Sequence, residues 1–136
     1  MPLPERILID HSAFCAILSS DDVNHDLAVQ VYERLIDREQ EIWVASSTII
    51  KVVNSLHREF GIQSLLDFKD SIDGVMNIIW LEGIIYRDAL ALAAKHAGND
   101  VAIDDYITCI VAQRLQAYVF TFNSCLDKMG IPTLPR

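Results

Sequence analysis

Two aspartates stand where the pattern of the chain could bring them together. Asp10 follows a short apolar run, residues 7–9, that is typical of a buried β-strand. Asp104 and Asp105 open a segment with apolar residues at helical spacing, and acids there favour the positive end of the helix dipole. This helix leads into a second apolar run, residues 118–122, which predicts a buried parallel strand. Ligands of parallel sheets bind outside the carboxyl ends of strands. If the two strands are neighbours, Asp10 and Asp105 can meet there.

The remainder of the chain alternates between predicted strands and helices. Further strands are predicted over residues 42–45 and 77–81, with a short edge strand over 132–135, where proline is tolerated. Helices are predicted over residues 12–18, 63–75 and 82–97, with Ser12 as a cap of the first. One more begins after Asp22 or Asn24, and another runs from Ser46 or Ser47 to Gly61, a usual helix terminator.

This alternation, without repeats or a linker, predicts one domain over residues 1–136. Its expected fold is a three-layer α/β/α sandwich around a central parallel sheet of four to five strands. Flavodoxin-like and receiver-like folds share the alternation and also collect acids at strand ends. The chain, however, contains neither a convincing flavin phosphate loop nor a receiver lysine after a late strand.

The composition limits the classes of protein that remain. The 136 residues are 51% hydrophobic and 22% charged, which excludes disorder and allows a real core. No apolar run reaches the ~20 residues of a membrane span, and the first residues do not resemble a signal peptide. We therefore expect a cytoplasmic protein.

The net charge of −8 repels phosphate backbones, and two explanations fit this acidic surface. Some acids form a cation site that bridges to phosphate, or the natural partner is a basic protein segment.

The order of these features resembles the PIN-domain family, in particular the small stand-alone members typified by VapC toxins. That family opens on a hydrophobic strand that ends in Asp and is followed by small hydroxyl residues, as at Asp10 and Ser12. A Ser-led helix carrying a Glu follows, then an Asp-led helix and a strand ending in Thr-x-Asp. The resemblance spans residues 7–135. It implies a central first strand, ribonuclease activity dependent on Mg²⁺ or Mn²⁺, a homodimer, and a basic antitoxin partner.

Two of the four acidic positions that the resemblance implies are substituted. Asp10 and Asp105 match the family pattern and form the predicted catalytic and metal-binding pair. The helical Glu aligns with Val52, which offers no ligand, and the last Asp aligns with Asn123, which offers a neutral oxygen. Asp104 is the nearest substitute ligand in sequence, or else only a helix cap.

Other residues near these positions have two interpretations each. Ser12 and Thr121 correspond to supporting hydroxyl groups of the family, although Thr121 could simply satisfy local backbone. Lys51 either contacts phosphate or lies on a solvated helix face, the simpler reading. Asp127 either reaches inward or is a surface acid. His11 follows Asp10 and either contacts a phosphate or is a cap or supporting contact, and we expect the latter.

The sequence therefore predicts a PIN-domain protein with a degenerate metal site that holds Mg²⁺ or Mn²⁺ weakly. Either RNA hydrolysis survives in weakened form, or the protein is a catalytically inactive module that binds protein or RNA. A simpler possibility also remains for the acid pair. Asp10 and Asp105 would then be a strand-end acid and a helix-cap acid that bind no metal.

Overall fold

Five parallel strands form the centre of the protein, whose computed structural model describes residues 5–96 and 101–135. They are β1 (Arg6–Ile9), β2 (Glu41–Ala45), β3 (Met76–Ile79), β4 (Tyr118–Phe120) and β5 (Thr133–Leu134). Their order is β3-β2-β1-β4-β5, so the first strand is central, with β2 and β4 as its neighbours. The prediction of a central parallel sheet of four to five strands is confirmed.

Seven helices are described: α1 (His11–Leu18), α2 (His25–Asp37), α3 (Ser46–Phe60), α4 (Ile62–Ile72), α5 (Gly83–Lys95), α6 (Ile103–Leu115) and α7 (Ser124–Lys128). The apolar periodicity predicted the first six within a few residues, whereas α7 was not predicted. The predicted end of α5 at residue 97 lies outside the described residues. Among the described helices, none is long and apolar enough to cross a membrane.

The central strand is buried on both faces, which creates two separate cores. Ile7 and Ile9 pack in one core with side chains from α1, α2, α3 and α4. Leu8 points the other way, as strand alternation requires, and packs with side chains from α5, α6 and α7. The result is the expected three-layer arrangement, with the site-bearing ends of β1 and β4 between the layers.

Two helix starts differ from their predicted capping. The α1 helix is capped by Asp10, whose carboxylate accepts a hydrogen bond from the Ala13 backbone N–H at 3.0 Å, and not by Ser12. The α3 helix has no side-chain cap. The Ser46 hydroxyl instead accepts a hydrogen bond from the Leu81 N–H at 3.1 Å, which ties the start of α3 to the chain after β3. Gly61 ends α3 with φ = 82°, as predicted.

The strand before the last helix is shorter than predicted. It ends at Phe120 instead of residue 122, because Thr121 and the residues after it turn towards α7. The Thr121 N–H still donates to the Leu134 carbonyl of β5 at 2.9 Å. This early turn brings the Thr121 hydroxyl group to the carboxyl end of β1.

Candidate functional site

A polar cleft of about 150 Å³ lies at the carboxyl ends of β1 and β4. The residues that line it come from four segments: the start of α1, the first turns of α3, the start of α6, and the turn after β4. They are Asp10, His11, Ser12, Ser47, Thr48, Lys51, Ala102, Asp104, Asp105, Thr108 and Asn123. The cleft is at the edge of the sheet where ligands of parallel α/β folds bind.

Asp10 is the centre of a hydrogen-bond network that joins three segments. Its side chain is buried, with the residue only 7% exposed. Oδ1 accepts hydrogen bonds from the Ser12 hydroxyl at 2.7 Å and from the Ala13 N–H at 3.0 Å. Oδ2 accepts from the Thr121 hydroxyl. The Ser12 hydroxyl in turn accepts from the Phe122 N–H at 2.9 Å. The network therefore links β1, α1 and the turn after β4.

Asn123 contacts the second aspartate of the cleft. Its Nδ2 donates to Oδ1 of Asp105 at 2.9 Å, while its Oδ1 accepts from the Cys125 N–H at 3.0 Å and caps α7. Because the cap uses the amide oxygen, the amide nitrogen faces Asp105. The sequence suggested Asn123 as a neutral oxygen ligand, but the amide presents a hydrogen-bond donor to the cleft.

Asp105 lies close enough to Asp10 for their charges to interact. Partial burial raises the pKa of Asp105, and the negative charge of Asp10 raises it further. A backbone hydrogen bond at Ala102, the positive charge of Lys51 and the hydrogen bond from Asn123 act in the opposite direction. The two aspartates predicted to form a pair therefore line one cleft and affect one another electrostatically.

Lys51 supplies the positive charge of the cleft. Its ammonium forms an ion pair with Oδ2 of Asp104, across the gap between α3 and α6, and both side chains are nearly half exposed. Lys51 therefore lies on an exposed helix face, as the simpler interpretation held, and it also lines the cleft. Asp104 lines the cleft with its carboxylate paired to this ammonium.

The structure places Val52, the predicted position of the missing helical acid, in the core. Val52 is 2% exposed and packs in the core with β1 and α1, away from the cleft. Adjacent helix residues point about 100° apart, and it is Lys51 that lies on the cleft wall with Ser47 and Thr48. A carboxylate at position 52 would be buried, whereas one at position 51 would face Asp104.

Comparison with known proteins was made at the level of sequence and of structure. No family model matches the sequence, and no curated protein sequence matches it significantly. Solved structures do match. VapC20 of Mycobacterium tuberculosis, described as a sarcin–ricin loop-cleaving toxin, superposes with a TM-score of 0.76 at 14% identity, over 92% of this chain and 95% of that one.

Two structures of complexes are similar to the same extent. A toxin–antitoxin complex from Klebsiella pneumoniae gives a TM-score of 0.73 at 18% identity, covering 95% of this chain and 96% of that chain. VapBC2 from Rickettsia felis, bound to a promoter DNA fragment, gives a TM-score of 0.74 at 11% identity, over 94% of this chain and 96% of that chain. The chain has a VapC-like PIN-domain fold.

The donor groups of this PIN-like cleft do not fit a tightly held divalent cation. Among residues 5–96 and 101–135, no three His, Cys, Asp or Glu side chains converge as metal ligands would. Both oxygens of Asp10 accept hydrogen bonds from protein groups, and Asp104 is paired with Lys51. Asp127 does not compensate, because it is exposed and lines a neighbouring depression next to Ser124.

Burial favours the neutral forms of His11, which lines the cleft, and of the thiols of Cys15 and Cys109, which do not line it. Burial, and then the charge of Lys51, lower the pKa of His11, although Asp10 acts in the opposite direction. The His11 ring contacts the Cys15 sulfur, with Nε2 at 3.4 Å. Burial raises the pKa of Cys15, and it raises that of Cys109 to about 11. These thiols are therefore protonated and poorly nucleophilic at neutral pH.

Proposed function

We propose that this protein is a VapC-type PIN-domain protein in which metal-dependent hydrolysis of RNA phosphodiester bonds is weakened or lost. One observation carries the proposal. Asp10 and Asp105 share a cleft at the carboxyl edge of a PIN-like sheet, but two hydrogen-bond donors, Lys51 and Asn123, occupy the neighbouring positions. The two acids of a PIN-type site are therefore retained, but the charge of the positions next to them is altered.

The chemistry expected of such a site explains why these donors matter. In nucleases of this kind, a divalent ion neutralises the phosphate and lowers the pKa of bound water. Mg²⁺ needs only one or two carboxylates if it keeps several waters, so Asp10 and Asp105 could retain a weak site. An ammonium and an amide N–H next to the carboxylates oppose a cation, and we expect activity to fall by ~10–100-fold or more, the range for altered supporting groups of metal sites.

A second candidate, a non-hydrolysing PIN module that binds protein or RNA, is favoured by the bonding of Asp10. This carboxylate holds β1, α1 and the turn after β4 together. Asp10 would therefore be retained for folding even if no substrate were cleaved. Its presence alone does not require a catalytic role.

We further infer a basic antitoxin-like partner and a homodimer. The similar structures include toxin–antitoxin complexes, and the net charge of −8 suits a positively charged segment better than naked RNA. Exposed apolar side chains on α4 and α5 offer surface for a two-fold interface: Ile62, Leu66, Ile84 and Leu90. A dimer should appear in light scattering at micromolar concentration, and a monomer would contradict the inference.

Cleavage of a structured RNA with Mn²⁺, compared between the wild type and Asp10→Asn, tests the function directly. Asp127→Asn serves as a matched control, because Asp127 is an exposed acid outside the cleft. We expect slow or undetectable cleavage by the wild type. Slow cleavage that Asp10→Asn abolishes and Asp127→Asn preserves supports a weakened nuclease, and no cleavage supports the binding module. Rapid cleavage that persists in Asp10→Asn would overturn both.

A further inference from the structure

The cleft contains its own cation. Three carboxylates line it, those of Asp10, Asp104 and Asp105, and Lys51 of α3 lines it as well. Lys51 pairs directly with Asp104. The ammonium therefore joins α3 to the acid-bearing first turn of α6 at the cleft.

We propose that Lys51 is the resident cation of this site and excludes divalent metal ions from it. The ammonium occupies the gap between α3 and α6 beside Asp104, so a divalent ion could not bind the same carboxylate there without displacing it. This deepens the proposed function, because it rests on the same cleft and names the residue that sets its preference among cations.

The geometry of α3 supports this assignment. Ser47, Thr48 and Lys51 line the cleft together, and their spacing places them on one face of the helix. A lysine ammonium is a compact, strongly hydrated charge with three rotatable donors. It can neutralise neighbouring carboxylates as a small ion does, but it is attached to the chain. A divalent ion that enters must either displace Lys51 or accept its repulsion.

If Lys51 repels a divalent ion or must be displaced by it, replacing Lys51 should strengthen the binding of that ion. Lys51→Glu replaces the ammonium with a carboxylate whose side chain is one covalent bond shorter, which leaves room for an ion between it and Asp104. A charge close to a titratable group shifts its proton-binding constant by ~10-fold or more. We expect the Mn²⁺ affinity of Lys51→Glu to rise by at least this factor. The variant should fold, because position 51 is exposed.

The experiment measures Mn²⁺ binding by calorimetric titration and by the Mn²⁺-dependent rise in melting temperature. It compares the wild type with Lys51→Glu, Lys51→Gln and Lys69→Glu. Lys69 is an exposed lysine on α4, ion-paired with Asp73, so its variant makes the same change in net charge far from the cleft. Lys51→Gln removes the ammonium without adding a ligand.

We expect Lys51→Glu to bind Mn²⁺ at least ~10-fold more tightly than the wild type, with Lys51→Gln between them and Lys69→Glu unchanged. The proposal is wrong if Lys51→Glu binds no more tightly than Lys69→Glu. It is equally wrong if Lys51→Gln binds no more tightly than the wild type, since the ammonium would then be no obstacle. Neither result depends on RNA cleavage, so the proposed function succeeds or fails separately.

Discussion

The two walls of the cleft are built on different principles. On the strand side, Asp10, Ser12 and Thr121 form a hydrogen-bonded network that is largely shielded from water. On the helix side, Lys51 and Asp104 form one ion pair, with both side chains nearly half exposed. The strand side resembles the interior of the protein in its bonding, and the helix side resembles its surface.

Because of this difference, changing an acid on the strand side should cost more stability than changing one on the helix side. A buried carboxylate must have hydrogen-bond partners, because leaving it unpaired costs more than the ~2–7 kcal/mol of an unpaired neutral polar group. An exposed ion pair contributes only ~0–1 kcal/mol. Asp10 is therefore constrained by the stability of the fold, whereas Lys51 and Asp104 can change with little effect on stability. Changes of function should accumulate on the helix side.

The largest expected effect tests this contrast with one acid from each wall. Asp10→Ala removes the α1 cap, which costs ~1 kcal/mol, and leaves buried donors unpaired at a further ~1–3 kcal/mol. We expect the free energy of unfolding to fall by about 3 kcal/mol. Asp104→Ala should change it by less than ~1 kcal/mol. Urea denaturation measures both, and equal losses would remove the distinction between the walls.

An intermediate effect is expected from two adjacent residues of α3. Val52→Ala deletes buried methyl groups and leaves a cavity, for a loss of about 2 kcal/mol. Lys51→Ala removes an exposed ion pair and should cost less than ~1 kcal/mol. Thermal and urea denaturation of the two variants would locate the cleft-facing position. A larger loss for Lys51→Ala would show that the helix faces are assigned the wrong way round.

The smallest effect is expected at Asp105, whose carboxylate accepts a hydrogen bond from Asn123 in the turn after β4. Its pKa is raised above the usual 3.8, so the folded protein holds this proton more tightly than the unfolded chain. Stability therefore falls as the pH rises from 3.8 through the raised value. Asp105→Asn abolishes this loss and keeps an oxygen for Asn123.

Relative to the wild type, Asp105→Asn should gain stability between about pH 3.5 and pH 7. The gain should stay below ~1 kcal/mol, because solvent screens a partly exposed carboxyl group. Urea denaturation at both pH values provides the comparison. A relative loss of stability at higher pH would mean that Asp105 is stabilised, and not strained, as a carboxylate.

Local sequence signals were sufficient for the sheet and for the acids at its edge. The apolar run before Asp10 predicted the strand β1, and the acids that open α6 were placed correctly, because both features depend on neighbouring residues alone. The parallel order followed from alternating strands and helices. Whether Asp10 and Asp105 act as catalytic or metal-binding residues stays a prediction.

The sequence was less informative where a shift of one residue along a helix decides which side chain faces the cleft. Lys51 is flanked by apolar residues on both sides, so the periodicity of α3 did not show which position faces the cleft. Only the packing of α3 against β1 and α1 settles that Val52 is buried. Asn123 was placed near the site, but its cap of α7 was missed, although Asn before a short helical segment is a usual capping signal.

The central position of β1 has a consequence for the order in which the protein can be made. This strand is synthesised well before its partner β4, residues 118–120, and Asp10 accepts a hydrogen bond from the Thr121 hydroxyl across 111 positions of sequence. Until residue 121 has left the ribosome, the nascent chain carries β1 with one edge unpaired, which is the condition that favours misassociation during synthesis. Pairing of strands this distant in sequence is intrinsically slow. A chain that ended before residue 118 would lack β4 and the Thr121 hydroxyl, and with them the donor to Oδ2 of Asp10.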